Sequence, residues 1–64
     1  MFSNREKAKE AQRELTYRQF VYSKRVAEGS MRLDRAQKQI ALMTEIYEDY
    51  HALANREAQE DRLL

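Results

Sequence analysis

"VAEGSMRLDRAQ", residues 26–37, contains the single glycine of this 64-residue chain, Gly29, and the chain has no proline. With one residue that takes positive φ freely, the sequence provides for one reversal of direction. On both sides it is rich in Ala, Glu, Gln, Arg, Lys and Leu, whose side chains lose little rotamer freedom in a helix. The stretch therefore separates two helices. Gly29 can close the first in the left-handed conformation, and Ser30, Met31 and Arg32 form a link short enough to make the helices antiparallel neighbours. Met31 is placed to fold over that end of the hairpin. Ser30 is the nearest residue with N-cap chemistry for the second helix, and Asp34 stands in its first turn, where the dipole favours an anion.

Periodicity extends the reading outward. Ala8, Ala11, Leu15, Tyr22 and Val26 recur at spacings of three, four or seven and share one helical face. Ala36, Ile40, Met43, Tyr47, Tyr50 and Ala54 alternate steps of four and three, the rhythm of a helix-packing seam. The expected fold is all-α, an antiparallel two-helix hairpin occupying residues 1–64 as a single unit. Helix 1 is expected at about residues 4–28, the turn at 29–32 and helix 2 at about 33–61.

A helix of 25 residues extends roughly 37 Å, so such a hairpin is a rod with little interior. Short chains are commonly stabilised by disulfides, a structural metal or self-association. This one has no cysteine and one histidine, His51, which leaves self-association or a partner. Leu42, Ile46 and Leu53 form an apolar shoulder beside the helix 2 seam, wider than one facing helix covers, so dimerisation into a four-helix bundle is expected, with a surface kept for a foreign protein as the competing explanation. No apolar run reaches the roughly 20 residues needed to span a bilayer, and "MFSNREKAKE" lacks the apolar core of a signal peptide. A cytoplasmic protein without a membrane partner is expected.

Charged residues make up 36% of the chain, but they nearly balance at a formal net charge of +1. Residues 1–32 hold eight Lys and Arg against four Glu, and residues 33–64 hold four against seven Asp and Glu. The two helices should attract, although exposed pairs contribute only ~0–1 kcal/mol each. On helix 1, Lys9, Arg13, Tyr17, Phe20 and Lys24 form a second stripe roughly opposite Leu15 and Tyr22, with Val21 beside it. Self-association would absorb the aromatics and leave the basic groups as solubilising snorkelers. A protein target, acidic in character, would use aromatics and Arg as binding hot spots. Nucleic acid would be held by phosphate contacts with aromatic stacking.

Part of the chain has a familiar pattern. The run "YRQFVYSKRVAEGSMRLDRAQKQIALMTEIYEDY", residues 17–50, resembles short, functionally uncharacterised helical proteins of proteobacterial phages and prophages. These carry Y-R-x-x-V-Y, then V-x-x-G-x-M, then A-x-x-x-I-x-x-M-x-x-I-x-x-D-Y. Tyr17, Arg18, Val21 and Tyr22 match the first element, and Val26, Gly29 and Met31 the second. Ala36, Ile40, Met43, Ile46, Asp49 and Tyr50 match the third. The match covers about half the chain and departs at Arg32 and Leu33, where those proteins tend to place Thr and Pro. The resemblance implies a phage or mobile-element origin, and with it a host protein as partner; it implies no site residue.

Features of an enzyme are missing from the pattern. There is no glycine-rich phosphate loop, and no serine or threonine is set with a histidine and an acid. Glu48 and His51 satisfy Glu-x-x-His, a spacing used by di-iron bundles, but Glu48 falls on the solvent side of helix 2 and further glutamates would be required. No metal or cofactor is expected. The sequence reads as a small non-enzymatic module that binds, and inhibits or redirects, a host protein through Lys9, Arg13, Tyr17, Phe20, Val21 and Lys24. The alternative is an accessory nucleic-acid-binding protein using the same face. Leu63 and Leu64, at the end of a charged tail, are a further place for a partner to dock.

Overall fold

The computed structural model describes residues 1–63, with side chains through Arg62. The docking role read for Leu63 and Leu64 lies outside the described residues. Two helices, α1 (Asn4–Ala27) and α2 (Leu33–Leu63), lie antiparallel along their length, with no strand among the described residues. The expected hairpin is thus observed, in a rod of 53 × 17 × 17 Å. α1 ends one residue before the expected boundary and α2 continues two residues past it.

Each end of α1 is closed by side-chain and backbone chemistry written locally in the sequence. At the start, Ser3 is the N-cap: its hydroxyl oxygen accepts from the Glu6 N–H (3.1 Å), and the hydroxyl donates to the Glu6 carboxylate (3.3 Å). At the far end the Gly29 N–H donates to the Val26 carbonyl (3.1 Å) and the Ser30 N–H to the Arg25 carbonyl (2.9 Å). That pair of bonds is a Schellman motif, and Gly29 holds its left-handed position at φ 80°.

The expected cap for α2 is corrected here. Ser30 does not cap α2: its hydroxyl donates back to the Arg25 carbonyl (3.2 Å), a second donor on an otherwise open acceptor of α1. The first bond of α2 runs from the Ala36 N–H to the Arg32 carbonyl (3.0 Å). Asp34 serves the start of α2 as its position suggested, accepting from the Arg35 N–H (2.8 Å) and pairing with Arg32 (3.1 Å). Met31 is half-buried at this end.

The seam follows the two expected stripes. Ala8 and Ala11 of α1 and Ala36, Met43 and Ala54 of α2 are buried, while Leu15, Tyr22, Val26, Ile40, Tyr47 and Tyr50 are half-buried. Four of the five buried residues are alanines, whose small side chains bring the helices close but exclude little apolar area from water. No side chain among the described residues is fully buried.

Polar groups fix the register that alanines define weakly. Arg18 occupies a seam position between Leu15 and Tyr22, where Nε donates to Glu14 (3.0 Å) and Nη1 crosses to the Gln39 backbone carbonyl (3.0 Å). The Asn4 amide donates to the Glu57 carboxylate, and Lys7 Nζ stands over the Tyr50 ring, 5.5 Å from its centroid. Among the described residues the opposite net charges of the helices are not converted into ion pairs between them. The three ion pairs among the described residues join near neighbours in sequence: Arg13–Glu10, Arg18–Glu14 and Arg32–Asp34.

Candidate interaction surface

α1 turns its seam toward α2, so residues half a turn away face outward for the whole length of the helix. Lys9, Arg13, Tyr17, Phe20 and Lys24 all stand on that outer side and are exposed. Tyr17 retains 56% of its accessible surface and Phe20 74%, large values for aromatic rings, which normally seek cover. The stripe runs along α1 in steps of four and three from Arg13 through Tyr17 and Phe20 to Lys24, with the basic groups at its ends and the rings in its centre. Val21 differs from the other five. It is half-buried on the flank of the hairpin, one turn beyond Tyr17, and joins the outer stripe to the side of the seam.

Arg13 is ion-paired with Glu10, and its side-chain hydrogen bond to that carboxylate, with the carboxylate's charge, holds the guanidinium further toward its charged form. An arginine so placed is cationic at any pH at which the protein is folded. Both partners are well exposed, so the pair leaves the guanidinium available to an incoming carboxylate or phosphate.

A second surface lies on α2. Leu42, Ile46 and Leu53 are 45%, 43% and 39% exposed, on the flank of the seam rather than in it. Beside them an open groove runs between the helices, lined by Lys7, Glu10, Ala11, Glu14, Met43, Ile46 and Tyr50. It is a trough along the rod, not an enclosed chamber that would shield a reaction from water.

The histidine is occupied by packing. His51 stacks on Tyr47, with ring centroids 5.3 Å apart and planes 24° from parallel, and Glu48, one turn before it, is exposed. Among the described residues no three His, Cys, Asp or Glu side chains converge where they could hold a metal ion. No helix among them is long and apolar enough to cross a membrane.

The residue absent from the sequence-level site is Arg18. It sits inside the "YRQFVY" run, but its role depends on the Gln39 carbonyl 21 residues away, and no local pattern announces a bond that the hairpin register creates. No protein-family model, curated protein or solved structure matches the chain.

Proposed function

We propose that this chain is a small non-enzymatic protein-binding module, of phage origin, that occupies an acidic surface of a host protein in the cytoplasm and inhibits or redirects it. The observation that carries this reading is the exposure of Tyr17 and Phe20 between Lys9, Arg13 and Lys24, on the side of α1 that the hairpin does not use. Aromatic rings flanked by cations are the composition of interface hot spots, and two rings on a preformed helix lose little entropy when a partner covers them. The phage origin and the host target rest on the likeness of residues 17–50 to the phage pattern. The non-enzymatic reading is supported by open grooves in place of a chamber and by a sequence without a nucleophile-and-base pattern.

The test is a double replacement, Tyr17→Ala with Phe20→Ala. Because both rings are exposed, the variant should keep the helicity and melting behaviour of the parent while losing capture of the target from nuclease-treated host lysate. A loss of folding assigns the rings to the fold, and undiminished capture removes them from the binding site; either overturns the reading. If lysate without nuclease treatment instead yields nucleic acid, its retention will fall linearly on a log–log plot against salt and will depend on Lys9, Arg13 and Lys24 more than on the rings.

A further inference from the structure

The second surface, on α2, matches its own reverse at two kinds of position, one apolar and one charged. Residues one heptad step apart on this flank form two rows, Arg35, Leu42, Asp49 and Arg56, and beside them Gln39, Ile46, Leu53 and Glu60. Reversing one copy of α2 against another sets each row against the other row. In one register Leu42 of one copy faces Leu53 of the other, and Arg35 of one faces Glu60 of the other. In the same register Ile46 faces Asp49 and Gln39 faces Arg56. Every apolar–apolar and cation–anion match occurs twice, as a two-fold interface requires. The two-fold falls between residues 47 and 48, within half a residue of the midpoint of Leu33–Leu63, so the helices overlap almost end to end. Arg35 and Glu60 form no ion pair within the hairpin among the described residues.

Area supports the same occupant. The chain exposes 5419 Å², whereas a compact monomer of its 7.7 kDa exposes about 4,300 Å². The excess of about 1,100 Å² is comparable with the ~800 Å² that each partner contributes to a stable interface. We infer that a second copy of this chain packs antiparallel along Leu42, Ile46 and Leu53, with Arg35 and Glu60 closing the two ends. The two-fold is perpendicular to the paired α2 helices, so both α1 helices lie on one side of them and the assembly is a four-helix bundle. This inference does not depend on what binds Tyr17 and Phe20.

The register can be read with single cysteines, because the chain has none of its own. The full-length Leu42→Cys and Leu53→Cys variants are mixed at micromolar concentration under mild oxidation. The antiparallel register places positions 42 and 53 of opposite copies face to face. It separates 42 from 42, and 53 from 53, by 11 residues or roughly 16 Å, beyond the reach of a disulfide. The mixed disulfide should therefore form at least tenfold faster than either like pair. Equal rates, or a preference for like pairs, overturn the register. Sedimentation of the parent up to about 100 μM should show a dimer; a helical monomer throughout overturns the inference. Arg35→Glu and Glu60→Arg, both at exposed positions, should each weaken the dimer at least tenfold with helicity unchanged, and an equimolar mixture of the two should restore it. Failure of the mixture to restore association removes the Arg35–Glu60 contact and counts against the arrangement. Asp49→Leu, which replaces the one anion facing Ile46, should tighten association. If Tyr17→Ala with Phe20→Ala dissociates the dimer while Asp49→Leu leaves it unchanged, the interface is on α1 and the inference fails.

Discussion

Gly29 determines the reversal of the chain through its backbone alone. A Cβ built on it meets nothing within 4 Å, yet its φ of 80° is a conformation that side-chain-bearing residues adopt at a cost. The effect of a substitution there should follow conformational strain and not size or clash. Gly29→Val, β-branched and badly suited to positive φ, should destabilise by about 1–3 kcal/mol in a thermal melt, and Gly29→Asn by less, since Asn tolerates the left-handed region. Equal melting of Gly29→Val and the parent would refute a left-handed turn at this position. Arg18 shows the reverse case, a residue whose conformation is ordinary and whose position is unusual. A charged group in a helix seam is tolerated here because the seam is only half-covered. The guanidinium keeps one edge toward solvent while bonding to Glu14 and to the Gln39 carbonyl, an acceptor that another helix supplies.

At the level of the helices, how much was legible depends on where the deciding interaction closes. The stripes through Ala11 and Met43 could be read because burial follows the helical period directly, and the turn could be read because one glycine stood alone. "SNRE" also closes within four residues, and its Ser3 cap is plain in the sequence once α1 is known to begin at Asn4. It makes a measurable contribution: Ser3→Ala should lower stability by about 0.5–2 kcal/mol in urea denaturation and leave the fold intact, since the cap satisfies the Glu6 N–H, which has no partner within the helix. No change in the midpoint would mean that water serves that group equally well. Ser30 was legible as a cap but not as to which helix it serves, because it stands between two ends that both present unpaired groups. The Schellman geometry of Gly29 directs it toward Arg25. The outer stripe from Lys9 to Lys24 was legible for the same reason as the seam, as its complement on the helical wheel. Val21 lies midway between the two, and periodicity alone could not say which side takes it.

For the molecule as a whole the governing quantity is thickness. At 17 Å in two of its dimensions the rod is two helices wide, and an alanine-rich seam gives each helix only one thin line of cover. A chain this short gains little from burial to offset the entropy of ordering it, so its remaining apolar surfaces matter to its stability as well as to its contacts. The two helices also differ in length. Asn4, the first residue of α1, is level with Glu57, and α2 continues from there to Leu63 with no helix of its own chain alongside among the described residues. That unequal ending turns the last turn and a half of α2 into a gauge of its surroundings. Amide protons there are held only by helical bonds that open readily at an end, so in a separate hairpin residues 59–62 should exchange with deuterium almost as fast as an unstructured peptide. With a second copy in the antiparallel register, the start of its α2 lies against this segment, and exchange at 59–62 should slow as protein concentration rises through the micromolar range. Rates that stay the same over a hundredfold dilution would mean that nothing covers it, whereas slowing that follows the dimer fraction would let time-resolved exchange follow assembly one amide at a time, with no label on the protein.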